Sequence, residues 1–146
     1  MRRIAVRGIA VRDNKLLCVR HKMYTGNIVG KDFWCLPGGT VDEGENLTAA
    51  ITREMIEETA ITPLIGKLLY INHFQANNME HLEFFFHVKN PEDYREVDLS
   101  KASHAEEEIA EIDFIDTTKN NVLPEFLTTK PANDLLTANA EIISSL

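Results

Sequence analysis

LPGGTVDEGENLTAAITREMIEETAI, residues 36–61, opens as a glycine turn and closes as a helix written against its own electrostatics. Residues 46–59 contain neither glycine nor proline and Pro63 stands just beyond, which predicts a helix from about Asn46 to Thr59. At about 100° per residue, Glu54, Glu57 and Glu58 stand at i, i+3 and i+4 and share an arc of about 100°. Like charges at that spacing cost roughly 0.2–0.5 kcal/mol per pair, and the last turn of a helix carries partial negative charge that disfavours carboxylates further. Arg53, four residues before Glu57, offsets part of this. Projected backward, the same side carries Leu47, Ala50 and Ile51, so it starts apolar and turns acidic. Ala49, Thr52, Met55 and Ile56 form a second stripe, apolar enough to pack.

Two readings of the acidic side follow. One is a solvated charged face. The other is a bound divalent cation that prefers oxygen ligands, Mg2+ or Mn2+, because coordination converts repulsion among carboxylates into attraction to a shared ion. Two other motifs fail here. A Walker loop needs Gly-Lys-Ser/Thr after its glycines, where this chain has acids. An EF-hand needs a spacing of Asp and Asn residues that TVDEGEN does not supply.

The rest of the chain bounds the answer. Its 146 residues, 44% hydrophobic and 26% charged, suit one domain with a core, spanning 1–146. With 15 basic and 23 acidic side chains the formal charge is -8, which opposes nonspecific binding to nucleic acid or to an anionic membrane. A polyanionic ligand then needs a local basic patch or a bound cation. Cys18 and Cys35 lie in apolar runs at a spacing that matches no zinc motif, so they read as buried reduced thiols. MRRIAVRGIAVRDN lacks the apolar run of a signal peptide, and no stretch approaches the roughly 18 apolar residues of a membrane span. A cytoplasmic location is expected.

Periodicity alternates between strand-like and helix-like segments, without repeats. Ile4 to Val11 and Lys15 to Arg20 read as strands joined through Asp13-Asn14. HKMYTGNIVGKD is a loop leading to the short strand FWCLP. Leu64 to Gln75 and His81 to Lys89 pair as a hairpin across ANNME. Pro91 to Ala105 is a polar surface loop and EIDFID one more strand. NNVLPEFL holds a helical turn, and Pro131 opens a final helix through ANDLLTANAEIISSL. The expected fold is α/β, with mixed sheets and two principal helices.

The opening segment also resembles the signature of the Nudix hydrolases: Gly, five residues, Glu, seven residues, Arg-Glu, apolar, any, Glu-Glu, any, Gly, apolar. The matching positions are Gly39, Glu45, Arg53, Glu54, Met55, Glu57, Glu58 and Ile61, preceded by LPG. The closing glycine is replaced by Ala60. That glycine suits a left-handed residue, a conformation that costs a residue with a Cβ about 1 kcal/mol or more, so a different helix end is expected.

The resemblance implies an α/β/α sandwich and a metal-dependent hydrolysis of a pyrophosphate linkage in a nucleoside diphosphate joined to another group. It assigns Glu57 and Glu58 to the metal, with the Gly38 carbonyl as a further ligand. Glu54 binds metal or acts as general base, Arg53 orients the carboxylates, Glu45 supports the loop or a second ion, and Gly39 is structural. A further glutamate is expected from Glu106, Glu107 or Glu108, with Glu108 favoured. Homodimers are common among such proteins.

For the substrate, Arg20 and Lys22 are candidate phosphate contacts, with exposed strand-end charges as the alternative. His21 reads as a surface residue. Trp34, Phe33, Tyr24 and Phe74 are candidate stacking surfaces, although core packing suits at least one of Phe33 and Trp34. Phe84, Phe85 and Phe86 must alternate across a sheet. Asn77, Asn78 and Asn133 are candidates for reading a base edge. The window around QANNME lacks the proline or tyrosine that marks the ADP-ribose and diadenosine polyphosphate branches. Nucleoside triphosphates are therefore the default substrate, with ADP-ribose, nucleotide sugars or a catalytically inactive nucleotide-binding module as alternatives.

Overall fold

The computed structural model describes residues 1–22, 33–103 and 109–145. Among the described residues, ten strands and one α-helix run in the order β1 (Arg2–Ile9), β2 (Val11–Arg12), β3 (Lys15–His21), β4 (Trp34–Cys35), β5 (Gly38–Thr40), α1 (Leu47–Thr59), β6 (Ile65–Ala76), β7 (Met79–Val88), β8 (Ile109–Ile115), β9 (Val122–Leu123) and β10 (Glu141–Ser144). They make two mixed sheets. The first has the order β10-β6-β7-β1-β5, and the second the order β2-β3-β4-β9 with β8 paired to β3. Only Ala10 separates β1 from β2, so the chain passes from one sheet to the other there, and Leu17 N–H donates to the Ala10 carbonyl at 2.9 Å.

The hairpin of β6 and β7 forms as expected, whereas the first is corrected: β1 joins the other sheet, and only Val11 and Arg12 pair with Leu16 and Lys15 across Asp13-Asn14. Asp13 and Asn14 take φ of 52° and 57°, and Asn77 and Asn78 take 54° and 60°. Two successive left-handed residues match the twist of the flanking strands, and Asn and Asp tolerate that conformation better than other side chains with a Cβ. The three consecutive phenylalanines alternate as required. Phe85 joins a core with Ile9, Leu16, Cys18, Leu69 and Tyr70, while Phe84 and Phe86 face a second core beneath α1.

Helix α1 begins where the sequence places it. Asn46 is the cap, its side chain accepting the Ala49 N–H at 2.8 Å. Ala50, Ile51 and Met55 are fully buried against Val6, Leu17 and Val88. The expected second stripe is not a packed face, because Met55 alone of it is buried while Ala49 and Ile56 are exposed. Ala60 corrects a further expectation. It adopts the left-handed conformation, φ 63° and ψ 14°, and its N–H donates to the Ile56 carbonyl at 2.8 Å, so the glycine-type helix end persists without glycine.

The second principal helix does not form. Residues Ala132–Thr137 make a 3-10 helix, and Ala140, at φ 51°, turns the chain into β10, which pairs in parallel with β6 from Tyr70 to His73. Asn, Asp and Thr are indifferent helix formers, whereas Ile142 and Ile143 are β-branched and the edge of β6 offers unpaired backbone groups. Tertiary pairing overrides the local pattern. Among the described residues α1 is the one α-helix, so the sandwich is built from two sheets and a single principal helix.

Candidate active site

The backbone around Gly38 decides where the acidic side of α1 points. Strand β5 pairs antiparallel with β1, setting Gly38 opposite Arg7, Gly39 opposite Val6 and Thr40 opposite Ala5. Gly38 has φ 143°, and a Cβ there would collide with the Val6 carbonyl oxygen. Its N–H donates to Glu58 Oε1 at 2.7 Å, which satisfies a carboxylate only 4% exposed. At Gly39 a Cβ would lie 2.6 Å from the Glu54 carboxylate, so the absence of a side chain leaves room for that carboxylate. The two glycines thus seat Glu58 and Glu54 against β5.

Arg53 organises the remainder. Its guanidinium donates to both oxygens of Glu45, Nε to Oε2 at 2.7 Å and a terminal nitrogen to Oε1 at 2.9 Å. It reaches Glu54 at 3.0 Å, Glu57 at 3.2 Å and the Thr40 carbonyl at 3.1 Å. Hydrogen bonds from Arg53, together with the Asp42 N–H, hold the Glu45 pKa down at about 2. Burial pushes the Glu54 carboxyl up instead, although Arg53 acts against it. Among the described residues no three acidic, histidine or cysteine side chains stand ready as a coordination sphere; Glu54 and Glu57 contact Arg53, and Glu58 contacts Gly38. The donor set itself is all oxygen, the type that Mg2+ and Mn2+ take.

These carboxylates line a cleft of about 520 Å³ that Arg3 and Arg7 from β1 and His21 from β3 also line. Arg3 and Arg7 share one face of the strand, with small Ala5 between them. The sequence reading missed both cations. Their equal parity on a strand was visible, but their place in one cleft with the α1 glutamates depends on the β1–β5 pairing. His21, read as a surface residue, is half-buried and borders this cleft.

Arg7 and His21 also border a second, largely apolar pocket of about 420 Å³, lined by Phe33, Cys35, Leu36, Phe74, Phe85, Leu123 and Pro124, with Glu83. Two of the candidate stacking residues, Phe33 and Phe74, are therefore in one pocket, and Phe74 is stacked on His81 with centroids 4.7 Å apart. Trp34 is elsewhere. It packs against the core between the sheets with the Arg20 guanidinium 5.2 Å from its ring centre, and Arg20 is paired with Glu111. Neither residue borders the cleft or the apolar pocket. Lys22 is exposed. The Asn133 backbone N–H donates to the Asn14 side chain at 2.9 Å, beside the β2–β3 turn. Tyr24, Glu106, Glu107 and Glu108 lie outside the described residues.

Two mixed sheets and, among the described residues, one α-helix whose glutamates share a cleft with Gly38, Gly39, Arg3 and Arg7 define an α/β fold. The family follows from comparison. The model of the NUDIX domain matches residues 1–133, and the chain belongs to that family. An ADP-ribose pyrophosphatase from Methanocaldococcus jannaschii is 41% identical over 66 residues, a match covering 45% of this chain and 37% of that protein. The chain therefore matches well under half of the length of this relative. A MutT protein from Methanosarcina mazei superimposes with a TM-score of 0.61 at 22% identity, over 89% of this chain and 83% of the other. An ADP-ribose pyrophosphatase from Streptococcus suis gives 0.59 at 14%, over 98% of both chains. At these identities the two structures establish the fold.

Proposed function

We propose that the chain is a divalent-metal-dependent hydrolase that cleaves a pyrophosphate linkage in a small nucleotide, with a nucleoside triphosphate as the default substrate. The observation that supports this reading is that Glu54, Glu57 and Glu58 share one cleft with Arg3 and Arg7, with an apolar pocket also bordered by Arg7. A ligand that is anionic at one end and flat and apolar at the other matches that pair of spaces.

Glu57 and Glu58 would hold the ion, joined by Glu54 and the Gly38 carbonyl. Once bound, such an ion screens phosphate charge and makes a bound water easier to deprotonate. The protein's own residues do the rest. Arg53 orients Glu54 and Glu57 while donating to five oxygens, two of Glu45 and one each of Glu54, Glu57 and the Thr40 carbonyl. Arg3 binds phosphate oxygens, and Arg7 binds them and stabilises charge developing on the leaving group. Glu54, whose pKa is raised by burial, accepts a proton from the attacking water. Phe33 and Phe74 border the pocket for the base. Glu45 has a supporting role, bracing Arg53.

ADP-ribose is the second substrate to try, since two similar proteins carry that activity in their names. The test is a panel of nucleoside triphosphates, ADP-ribose, nucleotide sugars and dinucleoside polyphosphates, incubated with Mg2+ or Mn2+ while phosphate and pyrophosphate release are read. Turnover that disappears with a chelator and falls at least about 100-fold in Glu57→Gln is expected, by analogy with the loss of one charge-stabilising group. No turnover of any member, or full activity in Glu57→Gln, defeats the reading.

A further inference from the structure

The apolar pocket contains one feature that stacking does not use. Glu83 borders it from β7 together with Phe33, Phe74, Phe85 and Leu36, yet it is only 6% exposed. A carboxylate in such a place is costly unless it is paired. The pairing is present but leaves acceptor capacity unused. Glu83 Oε2 accepts Arg7 Nε at 3.2 Å, and Oε1 accepts Asn72 Nδ2 at the long distance of 3.4 Å. An ionised carboxylate has about four acceptor positions and no donor. One on each oxygen remains beyond these two bonds.

We propose that Glu83 sets base specificity, accepting two adjacent N–H groups from a guanine base in this pocket; the proposal rests on the nucleotide reading above. Chemistry selects guanine over other bases. Its Watson–Crick edge runs acceptor, donor, donor, with O6 followed by N1–H and the 2-amino group. Adenine and cytosine each put one amino group beside a ring-nitrogen lone pair, and uracil flanks its single N–H with carbonyls. Against a carboxylate, those lone pairs repel. Arg7 adds to the match. It keeps N–H groups beside Glu83, with one nitrogen 3.3 Å from the Leu36 carbonyl, so a donor stands next to a double acceptor, as the order O6, N1–H, N2–H requires. Arg7 also borders the acidic cleft, which joins base recognition to the phosphate end through one side chain.

Binding and turnover are measured separately, so that the two readings can fail independently. Equilibrium binding of GTP and ITP to the full chain is measured in the presence of Mg2+ at low temperature, with pyrophosphate release followed in parallel. ITP differs from GTP only by lacking the 2-amino group. The expected result is binding of GTP tighter than ITP by about tenfold or more, the usual penalty for one lost hydrogen bond to a charged group. ATP and UTP should bind more weakly still. In Glu83→Gln, whose amide turns a donor toward a base donor, the preference should fall to about twofold or less while the folded fraction, followed by thermal melting, stays intact. The comparison within the unaltered protein needs no variant, so it decides the matter even if Glu83→Gln fails to fold. Equal binding of GTP and ITP, no binding of GTP, or a preference that survives in Glu83→Gln overturns the proposal. Selective GTP binding without release of product supports the role of Glu83 and defeats the hydrolase reading instead.

Discussion

At Ala60 a residue with a Cβ holds a conformation that normally favours glycine, and the cost is measurable. A left-handed alanine is disfavoured by about 1–2 kcal/mol, and part of that is offset because alanine loses less freedom than glycine on folding. Ala60→Gly should therefore stabilise the fold by about 0.5–1 kcal/mol, a rise in Tm of about 2 °C for a chain of this size, as read by thermal and urea unfolding. Ala60→Val should move both in the opposite direction. Glu45 makes a second prediction, in pH. Its pKa falls from 4.5 to about 2, through Arg53 and the Asp42 N–H. Because the folded value is the lower one, the unfolded chain binds the proton first. The contribution of Glu45 is then fully present above about pH 4.5 and is lost as the pH falls through about 2. Urea unfolding at pH 6 and pH 2.5 should show Glu45→Gln less stable than the unaltered protein at the higher pH, with the difference shrinking at the lower.

Helix α1 shows how much a sequence can reveal about an element and where it stops. Its approximate bounds and its acidic side were legible because each depends on residues within a turn or two, whereas the cap at Asn46 was not read from the sequence. Its burial was only half legible. The periodicity offered two apolar stripes, and the structure buries Ala50, Ile51 and Met55 with Glu58 and Thr59, because what covers a helix is decided by strands distant in sequence. The final segment was misread for the same reason, since the exposed edge of β6 outcompetes a weak helical pattern. The resemblance implied that Arg53 orients the carboxylates; its two bonds to Glu45 were not read from the sequence. Those bonds predict that lysine cannot substitute. A lysine has the charge but lacks the planar fork that spans both oxygens of one carboxylate and still reaches Glu54 and Glu57. Arg53→Lys should lower kcat by about 10- to 100-fold, in the range found for partners that orient metal ligands, with a smaller change in KM. Equal loss in both constants would instead mark Arg53 as a contact of the bound substrate.

Across the whole molecule, the two sheets bring together two kinds of charge that each resist their own crowding. The acidic side of α1 holds Glu54 with its pKa raised, first by burial. On β1 the Arg3 pKa is lowered, again first by burial and then by neighbouring Arg7. Burial thus disfavours the charged forms of Glu54 and Arg3, whereas the Arg7 pKa is raised, with Glu83 and other charges outweighing its burial. On the proposed reading a bound cation would relieve Glu54 and a polyphosphate would relieve Arg3. That reading would let a protein of net charge -8 take a polyanion without a broad basic surface. It also separates the work of the two kinds of charge. Arg3 is only partly buried, and its Nε donates to the Thr40 hydroxyl at 3.1 Å and not to any of the three glutamates, so its removal should leave the carboxylates in place. Arg3→Gln should raise KM for the preferred nucleotide about tenfold, the worth of one charge-assisted contact, while kcat changes less than about threefold. Because the contact borders open solvent, the KM of the unaltered protein should rise as salt increases from about 0.05 to 0.5 M, and that of Arg3→Gln should rise less steeply. Parallel salt slopes in the two proteins would remove Arg3 from the phosphate site and leave Arg7 as its candidate cation.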